Sequence, residues 1–280
     1  MNKIVAISEL MRLDKPIGIY LLLWPALLAL VISSGGNFEY ADLLIIIIGS
    51  ILVRSAGCVI NDIWDKDLDG GVERTKTRPI PSKKLSISES WSVFTALGFF
   101  TLILLSFTNL NTIFVSIFFG LLIVLYPLTK RFFVGPQIFL GLTFNPTIIV
   151  YAMTNELNNP TMIFLYFAIA AKTIAFDSFY GLCDIEDDKK LGIHSTPLWW
   201  GSKTLLIIAI LQVVAITLLL IVGLKAELSS DWFIGIILLS GFYFYQHQLA
   251  SQKKFLLAFK NNHWASLYLL ALSVFCFLII

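Results

Sequence analysis

The sequence is poor in charged residues. Only 14% of its 280 residues are charged, whereas 58% are hydrophobic and the mean hydropathy is +0.84. A soluble domain of this size could not cover so much apolar surface with so few polar groups. The composition therefore excludes an ordinary soluble fold. It predicts an all-α integral membrane protein, because helices satisfy their own backbone hydrogen bonds in lipid.

Scarce cysteine and a small net charge exclude two further classes. Cys58, Cys183 and Cys276 form neither a Cys-x-x-Cys pair nor a metal-ligand spacing, so we expect no disulfide framework and no zinc site. The net charge at pH 7 is only +2, and the basic residues lie where membrane topology requires them. We therefore expect no nucleic-acid partner.

Long apolar runs recur along the whole chain. Crossing a hydrocarbon core of about 30 Å takes about 20 helical residues. Nine runs approach that length: 16–35, 42–60, 90–107, 111–128, 133–153, 161–181, 204–223, 231–250 and 265–280. We predict nine transmembrane helices in one domain covering residues 1–280. Their even spacing predicts two four-helix halves that run in the same direction, followed by a ninth helix.

The basic residues predict the orientation of these helices. Of the 20 lysines and arginines, only Lys225 falls in an odd-numbered loop, and only Arg54 and Lys172 lie inside predicted spans. The others lie in the N-terminal segment and the even-numbered loops, which the positive-inside rule places in the cytoplasm. The first run begins at Pro16, just after Asp14 and Lys15, and is longer than the apolar core of a signal peptide, so we predict an uncleaved first helix. With no transit-peptide pattern, we expect a multi-pass protein of a bacterial inner membrane.

More than half of the 18 acidic residues lie in two short stretches. The second loop holds Asp62, Asp65, Asp67, Asp69 and Glu73, and the region of the sixth loop holds Asp177, Asp184, Glu186, Asp187 and Asp188. If the second span continues as a helix past residue 60, Asn61, Asp65 and Asp69 share one face, with Arg54 two turns earlier. A similar stripe in the sixth segment consists of Asp177, Tyr180, Asp184 and Asp188. Since both stretches are predicted to be cytoplasmic, we expect them to converge.

Converging carboxylates repel one another unless a cation lies between them. Oxygen ligands at a partly open site suit Mg²⁺, which usually combines one or two carboxylates with substrate phosphates. The pattern therefore indicates a phosphate-bearing substrate, whose remaining oxygens basic side chains could bind. The basic residues nearest to the two stretches are Arg54, Arg74, Arg78, Lys130 and Arg131.

The acidic stretches admit other interpretations. Acidic loops are often only solvated, yet two on one side of the membrane, each continuing an adjoining span, favour a site. An EF-hand would need a glutamate where Lys76 stands, and a CDP-alcohol phosphotransferase would need an alanine where Glu73 stands. A cation transporter stays open as the alternative class, although only Asp177 lies near a span interior and the halves are not inverted.

The residues around both stretches resemble the UbiA superfamily of membrane prenyltransferases. Segment 61–82, NDIWDKDLDGGVERTKTRPIPS, is similar to its Asn-Asp-x-x-Asp-x-x-x-Asp signature with a trailing Arg-x-x-Arg-Pro. Segment 177–196, DSFYGLCDIEDDKKLGIHST, is similar to its second aspartate motif. Other similar stretches, in order along nearly the whole chain, are MRLDKPIGIYLLLWP (11–25), RSAGCVIND (54–62), YPLTKR (126–131), GPQIFLG (135–141) and FKNNHWASL (259–267).

This resemblance implies nine helices around a central cavity that holds two Mg²⁺ ions and a polyprenyl diphosphate between the two motifs. It implies metal ligands at Asn61, Asp62, Asp65, Asp69, Asp184 and Asp188. Of these, the predicted catalytic residues are Asp62, Asp65, Asp184 and Asp188, with Asp177 and Asp187 among or behind the ligands. The diphosphate is expected at Arg54, Arg74, Arg78, Lys130 and Arg131, and the aromatic substrate at Arg12, Arg54 and Tyr180.

The implied reaction moves the prenyl group to the ring carbon ortho to a phenol hydroxyl and releases diphosphate. The DKPIG opening (14–18) and the GIHST ending (192–196) look most like the branch that prenylates 4-hydroxybenzoate in ubiquinone synthesis. Homogentisate and dihydroxynaphthoate stay open as acceptors. The sequence departs from the family's usual residues at Asn145, Pro146, Lys172, Glu186 and His194, and we expect Lys172 to pair with a carboxylate across the cavity.

Overall fold

The computed structural model describes residues 3–278, and that part of the chain is helical with no strand. Two short 3₁₀ turns, Asp69–Gly71 and Gly201–Lys203, accompany thirteen α-helices. The helices are α1 (Lys3–Leu10), α2 (Ile17–Ser33), α3 (Tyr40–Trp64), α4 (Ile87–Leu105), α5 (Leu110–Thr129), α6 (Pro136–Thr143), α7 (Thr147–Met153), α8 (Thr161–Gly181), α9 (Ile185–Leu191), α10 (Thr196–Trp200), α11 (Thr204–Lys225), α12 (Ser230–Ser251) and α13 (Phe255–Leu278). The predicted all-α class is confirmed.

The predicted apolar runs coincide with these helices. Eight runs each fall mainly on one helix, namely α2, α3, α4, α5, α8, α11, α12 or α13, and residues 279–280 of the last run lie outside the described residues. The fifth run, 133–153, is divided between α6 and α7. Phe144, Asn145 and Pro146 separate the two, because proline lacks an N–H and disfavours helical geometry in the residue before it.

The outside of the helix bundle suits lipid. Among residues 3–278, five segments are long and apolar enough to cross a membrane, namely α3, α4, α5, α8 and the continuous stretch Thr196–Lys225, while α2 is apolar but shorter. Large apolar side chains face outward on several helices, among them Phe99, Phe118, Leu206 and Phe244. Exposing so large an apolar surface to water would be unfavourable, whereas contact with the hydrocarbon of lipid is not.

Polar residues and prolines set the helix ends. Ser86 and Glu89 form a capping box that starts α4, and the Asn109 side chain accepts from the backbone N–H of Thr112 at the start of α5. Prolines stand at the starts of α2, α6, α7 and α8, where a missing N–H costs nothing: Pro16, Pro136, Pro146 and Pro160.

Helices α8 and α13 pack beside a cavity at one end of the bundle. The most enclosed long helix is α8, which packs against α6, α11 and α13 around the buried side chains of Leu165 and Phe179. The last helix, α13, packs against α2 as well as α8 and α12, so the final long helix lies beside the first one. The ends of α2, α3, α5, α6, α8 and α13 line one cavity.

Candidate active site

The cavity has a volume of about 920 Å³ and gathers most of the predicted site residues. The predicted acidic residues in its lining are Asp62, Asp65, Asp69, Asp177, Asp184 and Asp188, which Glu9 and Asp14 join. The predicted basic residues in the lining are Arg12, Arg54, Arg74, Arg78 and Lys130. The two acidic stretches therefore meet, as their predicted convergence requires. Within residues 3–278, the lining does not include Arg131 or Asp187.

The first acidic stretch is helical only in part. Helix α3 continues past residue 60, as predicted, but it ends at Trp64. Asp65 caps this end, and Asp69 begins the following 3₁₀ turn, where its backbone N–H donates to the Asp65 carbonyl at 2.8 Å. The prediction of one continuous helical face through Asn61, Asp65 and Asp69 is wrong, although the turn keeps all three side chains on the cavity.

The second acidic stretch is also interrupted. Helix α8 carries Asp177 and Tyr180 and ends at Gly181, while Asp184 precedes α9 and Asp188 lies within it. A turn therefore replaces the predicted continuous stripe. All four side chains still line the same cavity as the first stretch. We call Asn61, Asp65, Asp69, Asp184 and Asp188, the oxygen-bearing side chains from both stretches, the acidic rim.

Asp65 presents a buried carboxylate oxygen that could bind a cation. One of its carboxylate oxygens, Oδ2, accepts from Asn61 Nδ2 at 3.1 Å and also contacts Lys130 Nζ. The other oxygen, Oδ1, is buried and has no hydrogen-bond partner. Burial raises the pKa of the Asp65 carboxyl above its usual value, against the opposing effect of Lys130. A buried, unpartnered carboxylate oxygen is costly, and a further cation would stabilise it.

Asp62 is fully occupied by two arginines. Arg12 Nη2 donates to both carboxylate oxygens of Asp62, at 2.8 and 2.7 Å. Arg78 Nη1 donates to Asp62 Oδ1 at 3.0 Å and to Asp69 Oδ2 at 2.9 Å. Burial alone would lower the pKa of Arg78, but Asp62 and Asp69 outweigh it and raise that pKa. Both oxygens of Asp62, which the motif predicts to be a metal ligand, therefore accept from arginines, and Arg78 links Asp62 to Asp69 of the acidic rim.

Arg74 joins the two acidic stretches. Its Nε donates to Asp184 Oδ1 at 2.8 Å, and its terminal nitrogens contact Asp184 Oδ2 and the Tyr180 hydroxyl. Burial opposes the charge, yet the bond to Asp184 raises the pKa of Arg74. Behind this pair, the backbone N–H of Glu73 donates to Asp187 Oδ2 at 3.3 Å. Asp187 thus holds the two loops together from outside the cavity.

Lys130 and Arg131 are neighbours with different contacts. Lys130 lines the cavity and contacts Asp65. Arg131 Nη2 instead donates to the backbone carbonyl of Trp64 at 2.5 Å, at the C-terminus of α3. A cation at that position satisfies an open carbonyl and complements the helix dipole. Arg131 therefore fixes the end of α3 from which Asp65 projects.

Two cavity carboxylates have no ion pair within the described chain. Burial raises the pKa of the Asp188 carboxyl to about 6. Asp177 makes no hydrogen bond to residues 3–278, and its charged neighbours include Arg54 and Arg74. Like Asp65, these carboxylates would gain from a bound cation.

Arg54 lies on α3 about 10 Å from Asn61, seven residues before it. Its guanidinium carbon is 5.1 Å from the centre of the Phe144 ring, and its Nε is buried without a hydrogen-bond partner. Gly18 provides the space for this group, because a Cβ at position 18 would lie 2.3 Å from Arg54 Nε. The structure thus places a guanidinium with an unpartnered Nε on the cavity wall, on the inner side of the acidic rim.

Helices α2 and α13 supply a part of the wall to which the motifs assigned no role. Tyr20, Phe259 and His263 line the cavity, and Phe259 lies 4.7 Å from Tyr180 between ring centres. Nothing in the spacing connects residue 20 with residue 263. Only the packing of α2 on α13 brings them together, so pattern alone could not identify this wall.

The residues at two of the family departures have local roles. Asn145 is buried, and it donates to the Tyr166 carbonyl at 2.8 Å and accepts from the Thr147 N–H at 3.2 Å, which starts α7. His194 lies in the cavity lining, and its backbone N–H donates to the Lys130 carbonyl at 2.9 Å. This bond ties the loop after α9 to the end of α5 that carries Lys130.

Lys172 does not pair with a carboxylate, contrary to the expectation from the sequence. It is buried on α8, outside the cavity lining, and its Nζ donates to Ser266 Oγ at 3.3 Å. Helix α8 directs this side chain towards α13 rather than towards the acidic residues. One hydroxyl offsets little of the cost of burying a lysine in a membrane protein.

Replacing Lys172 with methionine is expected to stabilise the protein. Because methionine fills a similar volume without a buried amine, we expect the free energy of unfolding to rise by about 1–3 kcal/mol. Thermal unfolding in detergent measures the effect, and Lys225→Met, at an exposed helix end, is the matched control with no expected change. A lower melting temperature for Lys172→Met would contradict this assessment of the site.

The oxygen ligands of the acidic rim fit Mg²⁺ that a substrate helps to bind. No three His, Cys, Asp or Glu side chains within residues 3–278 lie close enough to hold an ion by themselves. Mg²⁺ is usually bound by one or two carboxylates together with substrate phosphates. Asp65 and Asp69 on one wall, and Asp184 and Asp188 on the other, provide that number of ligands on each side.

Fold and site together define a class of protein. Membrane-type helices enclose a cavity where hard oxygen ligands and guanidinium groups meet at one end, and aromatic side chains line the region beside it. The class they indicate is a membrane enzyme that acts on a substrate carrying a diphosphate group.

Sequence comparison defines the family within that class. Residues 22–270 match the UbiA prenyltransferase family. The chain is 41% identical over 263 residues to the 4-hydroxybenzoate octaprenyltransferase of Alcanivorax borkumensis, across 92% of this chain and 90% of that protein. It is 39% identical over 272 residues to the protein of the same name from Vibrio campbellii, across 95% of each. The chain belongs to the UbiA family and is an integral membrane prenyltransferase.

Solved structures show the same fold. A UbiA homologue from Aeropyrum pernix superposes with a TM-score of 0.80 at 21% identity, covering 91% of this chain and 96% of that one. A homologue from Archaeoglobus fulgidus, bound to GPP and Mg²⁺, superposes with a TM-score of 0.75 at 18% identity, covering 98% of this chain and 100% of that one.

Proposed function

We propose that the protein transfers a polyprenyl group from its diphosphate to the ring carbon ortho to the hydroxyl of 4-hydroxybenzoate, in ubiquinone synthesis. The observation that carries the proposal is one cavity that gathers the acidic rim from both acidic stretches, with Arg54 and its unpartnered Nε on the inner side of the rim. The relatives named 4-hydroxybenzoate octaprenyltransferase support this acceptor over other phenolic acids.

The diphosphate of the donor binds at the acidic rim. Asn61, Asp65 and Asp69 on one wall, and Asp184 and Asp188 on the other, would hold Mg²⁺. When bound, Mg²⁺ neutralises the negative charge that grows on the leaving diphosphate. The neighbouring cations, Lys130, Arg74 and Arg78, donate to the phosphate oxygens and reinforce this effect.

The carbon–oxygen bond to diphosphate breaks and leaves an allylic cation at the prenyl carbon. Apolar and aromatic side chains of the cavity, including Leu140, Phe176 and Phe259, exclude water from that carbon. The ring carbon ortho to the phenol hydroxyl attacks the cation, and a carbon–carbon bond forms. The ring then regains aromaticity because the same carbon loses its proton to an oxygen of the departing diphosphate. Diphosphate and the prenylated acid are the products.

Arg54 binds the carboxylate of the acceptor. Its open Nε and its stacking on Phe144 favour a planar anionic group beside it. Asp177 is a charged neighbour of Arg54 but makes no hydrogen bond to it within the described residues, so the Nε donor is still open to a bound carboxylate. Arg12 is already engaged with Asp62 and supports the site through that bond. Tyr180, which contacts Arg74 and Phe259, closes the aromatic side of the space between donor and acceptor.

The proposed placement in the membrane follows from the basic residues. Nine spans in one domain of two parallel four-helix halves and a ninth helix would put the N-terminus and the acidic rim on the cytoplasmic side of a bacterial inner membrane. The lysines and arginines next to the cavity support this side. Cysteine substitution of Lys15 and Lys225, followed by labelling with an impermeant maleimide, tests it, because the proposal places these residues on opposite faces.

A prenyl-transfer assay tests the proposed function. Membranes containing the protein are supplied with radiolabelled 4-hydroxybenzoate, geranyl diphosphate and Mg²⁺, with EDTA as a control. We expect a prenylated acid that EDTA abolishes. Parallel reactions contain homogentisate or 1,4-dihydroxy-2-naphthoate and longer donors. A preference for another acceptor would overturn the 4-hydroxybenzoate assignment, and no transfer to any acceptor would overturn the prenyl-transfer proposal itself.

The ion pairs of the rim predict that metal and diphosphate bind together. Lys130, Arg78 and Arg74 neutralise Asp65, Asp69 and Asp184, so Mg²⁺ alone must compete with three internal cations. We expect calorimetry to show weak Mg²⁺ binding that strengthens at least about tenfold when geranyl thiolodiphosphate, an unreactive donor analogue, is present.

The variant Lys130→Met tests the same idea from the other side. Without its partner, Asp65 should bind Mg²⁺ alone several-fold more tightly, while affinity for the donor analogue falls. Lys260→Met is the control, since Lys260 lines the cavity but has no ion pair within the described residues. Equal Mg²⁺ affinity in Lys130→Met and the wild type would contradict competition at Asp65.

A further inference from the structure

The side chains of Trp24 and His263 meet where α2 packs on α13. Trp24 Nε1 donates a hydrogen bond to His263 Nδ1 at 3.0 Å. An indole nitrogen is only a donor, so Nδ1 must be the unprotonated, accepting nitrogen of the imidazole. In the neutral ring the hydrogen then lies on Nε2. This contact fixes one tautomer and leaves a single N–H as the free polar group of His263.

Neighbouring rings fix the orientation of the imidazole. Ring centres of Tyr20 and Trp24 lie 4.9 and 5.8 Å from that of His263, and Tyr20 stacks on Trp24 with an angle of 11° between the planes. Trp264 lies against the imidazole as well, at 4.8 Å. A donor whose tautomer and ring position are both set before a ligand arrives loses little freedom on binding it.

The position of His263 points to the acceptor rather than the diphosphate. His263 lines the cavity, one helical turn or about 6 Å along α13 from Phe259. Phe259 packs against Tyr180, whose hydroxyl contacts Arg74 at the acidic rim. His263 therefore lies on the inner side of the rim, as Arg54 does. The rim has enough cations for a diphosphate without a contribution from His263.

We infer that His263 is a positioning residue for the acceptor, and that its Nε2–H donates to a carboxylate oxygen of the aromatic acid bound at Arg54. This inference rests on the proposed function and adds a second group to the recognition of its substrate. Arg54 supplies the positive charge that attracts the carboxylate, whereas the neutral imidazole supplies a directional hydrogen bond that orients it. Because Trp24 occupies Nδ1, His263 adds no second positive charge near the developing allylic cation.

The test compares two substitutions at His263 in otherwise intact protein. Phenylalanine keeps the ring but removes the N–H, and glutamine keeps an N–H donor. We expect His263→Phe to raise the KM for 4-hydroxybenzoate at least about tenfold and to leave the KM for geranyl diphosphate within twofold. His263→Gln should recover part of the loss. His247→Phe, at a half-buried histidine of α12 outside the cavity lining, is the matched control.

A second acceptor, one without a carboxylate, shows whether the effect of a His263 substitution depends on the carboxylate or on a general disturbance of the cavity. With 4-methylphenol, which lacks the carboxylate, kcat/KM for His263→Phe and wild type should agree within twofold. Melting temperatures confirm that each variant is folded. If His263→Phe fails to fold, His263→Met against His263→Gln makes the same comparison of a side chain without and with a donor.

The outcomes distinguish this inference from the proposed function. If the wild type prenylates 4-hydroxybenzoate and the loss of the N–H leaves its KM unchanged, the inference alone is overturned. An equal loss with 4-methylphenol also overturns it, because the effect would not depend on the carboxylate. If the wild type prefers another phenolic acid, the proposed acceptor fails, and the same KM comparison with that acid decides the role of His263.

Discussion

Substituting Asp65 with alanine is expected to lower kcat/KM for prenyl transfer by about 10³-fold, the scale associated with losing an electrostatic group aimed at the leaving charge. Asp65 provides the unpartnered buried oxygen of the acidic rim. The substitution also leaves Lys130 without its ion-pair partner. We expect weaker binding of Mg²⁺ in the presence of the donor analogue, measured by calorimetry, together with the loss of transfer in the radiolabel assay.

Asp67→Ala is the control for this prediction. Asp67 lies two residues away in the same loop, but it is exposed and outside the cavity lining, so its removal should leave kcat/KM within twofold. The variant Asp184→Ala should behave like Asp65→Ala, because it removes the principal carboxylate partner of Arg74 on the facing wall. If Asp65→Ala kept more than a tenth of the wild-type kcat/KM, the metal role of Asp65 would be wrong.

Replacing Arg54 with methionine is expected to lower kcat/KM for 4-hydroxybenzoate by about 10²-fold, as when one partner of a buried, hydrogen-bonded charge pair is lost. Most of the effect should lie in the KM for the acid, while the KM for the prenyl diphosphate changes little. Competition between 4-hydroxybenzoate and 4-methylphenol measures the change directly. Arg54→Met should shift the preference towards the neutral phenol.

The variant Gly18→Ala should produce the same shift without touching the arginine. A Cβ at residue 18 would lie 2.3 Å from Arg54 Nε and 2.6 Å from its Nη2, so the guanidinium must move. We expect about a tenfold loss of kcat/KM for the acid. Gly120→Ala is the matched control, because a Cβ there meets no atom within 4 Å. An unchanged acceptor preference in both Arg54→Met and Gly18→Ala would remove Arg54 from acceptor binding.

Hydrophobic run length predicted the helices well, because a membrane protein must bury its backbone in helices whatever its tertiary packing. The exceptions arise at single residues. Pro146 was visible within the fifth run and signals the break between α6 and α7. The ends of α3 at Trp64 and of α8 at Gly181 carry no comparable signal, so the continuous acidic faces could not be corrected from sequence.

The acidic rim was readable from residue type and spacing, whereas the partners of its members were not. Nothing in the adjacent pair Lys130 and Arg131 shows which one contacts Asp65 and which one binds the end of α3. The buried Lys172 illustrates the same limit, since its direction depends on how α8 is rotated against α13. Pairings of this kind depend on rotation and register between helices that are distant in sequence.

The hydrogen bond between Trp24 and His263 joins positions 239 residues apart. A chain synthesised from its N-terminus places α2, with Trp24, in the membrane well before α13. A nascent chain stopped before α13 therefore contains both aspartate motifs and Arg54 but lacks one wall around them. The cavity is therefore complete only after α13 has packed on α2, although both acidic stretches precede α13 in the chain.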